Sequence, residues 1–181
     1  ADVFAAVRGV HKCIKGSYAV IALLAGHGLL AFRDPFGIRP LCIGRNADGS
    51  RMVASESVTL EGNGFELERD VAPGEAVFID LDGQASFEQC ADKVSHNPCI
   101  FEYVYLARPD SVLDGISVYQ ARLNMGKTLA KRLVSTVPPN EIDVVIPIPE
   151  SSRPSAMELA QILGLPYREG FVKNRYVGRT F

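Results

Sequence analysis

The chain has 181 residues, a net charge of -2 and 47% apolar residues, enough for the core of one ordinary domain or of parts of two. Near-neutral charge without a long Lys/Arg block excludes a basic nucleic-acid footprint, and no apolar run is long enough to span a bilayer. No signal-peptide pattern is visible, so the expected setting is soluble and cytoplasmic, with Cys13, Cys42, Cys90 and Cys99, which lack CxxC spacing, as reduced thiols.

Asp2 stands as a cap before Val3, Phe4, Val7, Val10 and Ile14, which fall on one helical face, and Gly16 closes that helix. Short strands follow. Residues 18–25 and 28–33 flank a Gly26-His27 turn, 40–45 and 51–55 flank Asn46–Gly49, and 76–80 and 85–89 flank Leu81-Asp82-Gly83. The expectation is a meander of antiparallel hairpins. Because 18–25 and 28–31 are nearly continuously apolar, their sheet is expected to be covered on both faces, as in a layered α+β domain.

The polar segment Cys90–Pro98 is the candidate linker, placing one domain at 1–92 and a second at 93–181. Cys99–Ala107 is apolar and aromatic, and Arg108–Ser111 breaks it. Val118–Val134 has amphipathic helical spacing, ended by Pro138-Pro139. Val144–Ile148 then reads as a buried strand leading through Pro-Glu-Ser-Ser-Arg-Pro into a helix at Ser155–Leu163 that stops at Gly164. In α/β sheets, ligands sit beyond the carboxyl ends of strands, where loop amides and helix starts hold anionic oxygens. Glu150, Ser151 and Ser152 occupy such a phosphate-facing position, although the same residues also make an ordinary strand-to-helix turn with Ser as a cap. Lys173, Arg175 and Tyr176 interleave cations with an aromatic ring, which suits a loop closing over a multiply charged substrate and equally a solvated tail. Arg33-Asp34 reads first as part of an Asp-Pro turn, and Glu56 as a buttress after a strand. His11, His27 and His96 share no metal-ligand spacing.

These segments carry a family resemblance. RDPFGIRPL (Arg33–Leu41), VASES (Val53–Ser57) and DVAPGEAVFI (Asp70–Ile79) resemble the later part of a class II glutamine amidotransferase domain. CIFEYVYLARPDS (Cys99–Ser111), VVIPIPESS (Val144–Ser152) and GFVKNRYVGRTF (Gly170–Phe181) narrow the resemblance to the amidophosphoribosyltransferase family, as an internal fragment. It implies part of an N-terminal-nucleophile glutaminase sandwich, α+β, followed by part of an α/β type I phosphoribosyltransferase domain. It also implies the first committed step of purine synthesis. Glutamine gives ammonia, which displaces pyrophosphate from phosphoribosyl pyrophosphate to form phosphoribosylamine.

The family's nucleophile is an N-terminal Cys whose own α-amine acts as base. Residue 1 is Ala, and none of the four cysteines matches, so no catalytic residue is expected in this chain and alone it is expected to be inactive. The resemblance places Glu150–Ser152 on the pyrophosphate side, Ser151 at the magnesium-associated position, and Lys173, Arg175 and Tyr176 at the start of a covering loop. The acidic loop that grips the ribose is expected beyond Phe181. Magnesium is the expected cofactor of the full-length enzyme. An iron–sulfur cluster, which one branch ligates at the position of Cys99, is not expected. Purine nucleotide inhibitors and a homo-oligomer are implied as well, with no nucleic-acid or membrane partner. Two other readings remain: a non-catalytic regulator that senses phosphoribosyl pyrophosphate, and an asparagine-synthetase-type amidotransferase, against which VVIPIPESS and KNRYVGRTF stand.

Overall fold

The computed structural model describes residues 2–174 and 176–178, the Pro139 side chain excepted. The chain forms two compact units. The first holds residues up to Glu102 together with Asp110–Ile116, and the second holds Tyr103–Pro109 and the residues from Ser117 onward. No helix of the described residues is long and apolar enough to cross a membrane.

The first unit starts with α1 (Val3–Cys13), whose first-turn amides at Phe4 and Ala5 donate to Asp2 Oδ1 at 3.0 and 3.1 Å, as the capping pattern predicts. In chain order there follow β1 (Ala19–Leu24), β2 (Gly28–Arg33), β3 (Cys42–Arg45), β4 (Arg51–Ala54), α2 (Ser57–Glu61), β5 (Glu66–Asp70), β6 (Glu75–Asp80) and β7 (Ala85–Gln89). All three expected hairpins form, in antiparallel register. They do not make one meander. The chain builds a four-stranded sheet, β1-β2-β6-β7, and a separate three-stranded sheet, β4-β3-β5. Neither α2 nor β5 appears in the sequence reading. The β5 residues Glu66-Leu67-Glu68-Arg69-Asp70 are strongly charged and become a strand only by pairing with β3.

The layering follows from β2. Its Ala31 packs with Leu41, Ile43, Val53, Val71, Val77 and Ile79 between the sheets, while Leu30 and Phe32 pack with Val7 of α1, Ala76 and Cys90 on the other side. The result is a helix–sheet–sheet arrangement, α+β with antiparallel sheets. The expectation of two covered faces holds for β2 and fails for β1. As the edge strand it leaves Ile21 48% and Leu23 80% exposed, because the core clusters under β2 and β6.

Two further short strands, β8 (Val112–Leu113) and β9 (Ile116–Ser117), pair in a hairpin at Asp114-Gly115, where Asp114 takes a positive φ of 49°. The second unit is built on α3 (Val118–Thr136) and α4 (Arg153–Leu163). Ala130, Val145, Ala156, Leu159 and Ala160 form its core. Gly164 adopts the left-handed conformation, φ 65°, at the end of α4, which is why glycine supplies the stop there. A turn of π-helix at Glu102–Leu106 precedes β8, and Arg122 of α3 donates from Nε to the Tyr103 carbonyl and from a terminal nitrogen to the Ala107 carbonyl, both at 2.7 Å.

The buried strand expected at Val144–Ile148 is corrected. Only a single parallel bridge, Val145 to Tyr167, forms there, supported by Val145 N to Pro166 O at 2.9 Å and Arg168 N to Val145 O at 3.0 Å. Burial alternates along it. Val145 and Pro147 are buried while Ile146 and Ile148 are exposed, so one face only is covered. Pro147 and Pro149 have no N–H to donate, which removes two positions from any ladder.

Candidate functional site

The turn between the extended segment and α4 carries the first group of expected site residues. Pro154 sits in the first helical turn, where its missing N–H costs nothing, and the Arg153 amide donates to Glu150 O at 3.3 Å. The Pro149–Glu150 peptide is cis. The structure separates the two serines that the sequence left equivalent. Ser152 Oγ donates back to Ile148 O at 2.5 Å and caps no helical amide, whereas the half-buried Ser151 hydroxyl has no hydrogen-bond partner among the described residues. Ser151 is therefore the hydroxyl available to a ligand, and Ser152 holds the turn's shape.

Around this turn the packing is close. Ser155 Oγ donates to Arg122 O at 2.7 Å, tying the first turn of α4 to α3. Arg153 pairs with Glu169 at 3.2 Å, and Glu169 also accepts from the Tyr167 hydroxyl at 2.9 Å, which fixes the segment leading to residue 170. Beyond that point the chain is exposed. Lys173 is exposed and Tyr176 fully so. Neither bonds to Ser151 or Ser152, and the Tyr176 amide donates to Asn174 Oδ1 at 3.0 Å. Arg175 lies outside the described residues. Glu150, Ser151 and Ser152 thus share one turn, and among the described residues no hydrogen bond joins Lys173 or Tyr176 to Ser151 or Ser152.

Magnesium can be tested against the donors present. A hard cation takes charged oxygen and water, and Ser151 offers one neutral hydroxyl. Among the described residues no group of three or more His, Cys, Asp or Glu side chains is placed to hold a metal. These residues do not fit a protein-held magnesium site.

In the first unit, Arg33 and Asp34 are both buried and both structural. The Asp34 carboxylate accepts from the amides of Phe36, Ile38 and Arg39 at 3.0–3.1 Å and so shapes the turn. Arg33 is a five-bond hub. It donates to the carbonyls of Arg39, Val71 and Gly37 and makes a paired contact with the Asp114 carboxylate at 2.7 and 2.8 Å. His96 meets the same carboxylate at 3.1 Å. Burial alone would raise the Asp114 pKa, but the Arg33 hydrogen bonds and charge outweigh it and hold it below the usual carboxylate range. Glu56 accepts from Ser111 Oγ at 2.7 Å, the buttressing role expected of it, and Ser57 Oγ accepts from the Val112 amide. Burial pushes Cys42 up to about 12 and raises Cys90 as well, so neither supplies a thiolate near neutral pH. Sequence reasoning missed Asp114 and Ser111. The Asp114-Gly115 pair was their one visible signal, as a turn.

Two comparisons match this architecture. Amidophosphoribosyltransferase of Escherichia coli (strain K12) is 57% identical over 184 residues, 99% of this chain and 36% of that protein, and the Saccharomyces cerevisiae protein of the same name is 54% identical over 187 residues, 99% of this chain and 37% of that one. Over almost its whole length the chain corresponds to a segment of proteins named amidophosphoribosyltransferase. A solved structure, glutamine phosphoribosylpyrophosphate amidotransferase from B. subtilis complexed with ADP and GMP, superposes with a TM-score of 0.83 at 40% identity, covering 96% of this chain and 36% of that one. No family model matches. The chain spans a little over a third of the length of the curated amidophosphoribosyltransferases it matches.

Proposed function

We propose that the chain serves amidophosphoribosyltransferase chemistry, the glutamine-dependent conversion of phosphoribosyl pyrophosphate to phosphoribosylamine that opens purine synthesis. The observation that carries this reading is 57% identity to the E. coli protein of that name across 99% of the chain. On this reading the first unit is scaffold of an N-terminal-nucleophile glutaminase, and the second carries the pyrophosphate-side turn of a phosphoribosyltransferase.

Departure of pyrophosphate leaves positive charge on the sugar's anomeric carbon and negative charge on the leaving oxygens. Amides at the start of α4 and the uncommitted Ser151 hydroxyl are suited to those oxygens. Magnesium arrives with the pyrophosphate as part of the substrate. The glutaminase nucleophile is not one of the two buried cysteines, whose thiols stay protonated. Purine nucleotides act as regulators, as the ADP and GMP complex of the B. subtilis structure supports. The protein works as a homo-oligomer in the cytoplasm.

The test is a hybrid in which this chain replaces the matched segment of the E. coli enzyme. Phosphoribosylamine should form from both glutamine and ammonia. A hybrid that purifies in the parent's oligomeric state yet makes no phosphoribosylamine from either would sink the reading. Within it, Ser151→Ala should raise KM for phosphoribosyl pyrophosphate about tenfold, the loss of one hydrogen bond to a charged oxygen, while glutamine hydrolysis is unchanged. Equal transferase kinetics in the Ser151→Ala and unsubstituted hybrids would remove Ser151 from the site.

A further inference from the structure

Arg122 lies in α3 and is only 3% exposed, although it carries a charge. Taking a guanidinium out of water is costly unless its donors find partners. Nε donates to the Tyr103 carbonyl and a terminal nitrogen to the Ala107 carbonyl, both at 2.7 Å. Both acceptors lie in the segment that forms and leaves the π-helical turn, and a planar fork of donors suits two such oxygens. The Tyr119 amide, donating to Pro109 O at 3.0 Å, ties the first turn of α3 to the same segment.

The main chain of Arg122 holds a different element. Its carbonyl accepts from Ser155 Oγ at 2.7 Å, and Ser155 sits in the first turn of α4. The two backbones meet closely, since a Cβ on Gly126, one turn further along α3, would lie 2.4 Å from Ser155 O. The start of α4 therefore takes its position from the backbone of α3, and the guanidinium fixes α3 on the Tyr103–Ala107 carbonyls. The Arg153 amide donates to Glu150 O at 3.3 Å and the Ala156 amide to Ser152 O at 2.9 Å, so the turn that carries Ser151 is continuous with that start.

We propose that Arg122 is a positioning residue for the pyrophosphate-side turn. Its side chain is committed to backbone carbonyls, and it acts by setting where the Ser151 hydroxyl and the first amides of α4 stand. This rests on the reading of that turn given under the proposed function. Lysine keeps the charge but has a single nitrogen, which cannot reproduce the fork. In the hybrid enzyme, with ammonia as the nitrogen source, Arg122→Lys should raise KM for phosphoribosyl pyrophosphate about tenfold and leave kcat within about twofold. Ser155→Ala, at a half-buried position, is the milder change and should raise KM about threefold. Adding it to Arg122→Lys should change little further, because the Ser155 bond transmits what the fork fixes. A side chain that only stabilised the fold would lower the melting temperature and leave KM where it was.

Hydrogen exchange gives a readout that needs no substrate. In the chain itself, both variants should speed exchange of the Arg153 and Ala156 amides about tenfold, while the Val145 and Arg168 amides of the bridge to Tyr167 keep their rates. Unchanged KM in Arg122→Lys and Ser155→Ala, in a hybrid where Ser151→Ala does raise it, would overturn the proposal. So would KM effects that multiply in the double variant, or exchange that rises equally at all four amides. If Ser151→Ala leaves KM unaltered while the Arg153 and Ala156 amides still respond, the pyrophosphate reading fails and the hold of Arg122 on the turn stands.

Discussion

Arg33→Met should destabilise the first unit by about 3–5 kcal/mol, because removing one member of a buried ion pair strands the other. Asp114 is almost wholly buried and accepts two Arg33 hydrogen bonds, and the carbonyls of Arg39, Val71 and Gly37 lose their donor in the same step. Methionine fills much of the volume, so the loss reports on polar pairing more than on a cavity. The readout is hydrogen exchange of the Ala31 and Val77 amides, which sit in the core of β2 and β6. A loss below about 1 kcal/mol would mean the carboxylate is hydrated and the pair contributes little.

The pH dependence supplies an independent sign. Asp114 has a lowered folded pKa, so its contribution is present above the ordinary carboxylate range and disappears as pH falls through the depressed value. Asp70 works the other way. Burial, with the nearby Asp114 charge second, raises its folded pKa, so its contribution is present below the ordinary value and is lost as pH rises through the raised one. Around the ordinary carboxylate value the two partly offset each other. Arg33→Met should therefore flatten the acid loss of stability, and Asp70→Asn should steepen it. Parallel acid profiles for both variants would show that neither carboxylate is linked to folding as described.

Local rules made much of the first unit readable. Asp2 capped the helix it was expected to cap, and the loops at 26–27, 46–49 and 81–83 turned three hairpins. Which hairpins share a sheet was not readable, because pairing β2 with β6 is a contact across more than forty residues that no local pattern encodes. β5 was invisible for a related reason, since its charged residues have no intrinsic reason to be extended without β3. At the candidate site, the motif located the turn but could not tell Ser151 from Ser152. That difference depends on where one hydroxyl points, toward Ile148 O in the case of Ser152. Arg122 was hidden among the apolar residues of α3, yet Val118, Arg122, Gly126 and Ala130 recur every four residues and all four are buried. A cation in that stripe was the available clue that the face meets backbone carbonyls.

Gly126 in the same stripe gives the second large effect. A Cβ at this position would lie 2.4 Å from Ser155 O and 3.1 Å from Ser155 Cα, and backbone atoms cannot move aside as a side-chain tip can. Gly126→Val should therefore push the first turn of α4 off α3 and cost about 1–3 kcal/mol through overpacking. Gly126→Ala is the sharper test. In an open helix it would stabilise by about 1 kcal/mol, whereas here the clash should reverse the sign. Ser155→Ala loses only the hydroxyl bond to Arg122 O, about 1 kcal/mol, and leaves the helices in contact. Since the Glu150–Ser152 turn runs directly into α4, Gly126→Val in the hybrid enzyme should raise KM for phosphoribosyl pyrophosphate and spare glutamine hydrolysis. If Gly126→Ala raised the melting temperature instead, the close approach of α3 and α4 would be wrong, and with it the account of what holds the turn in place.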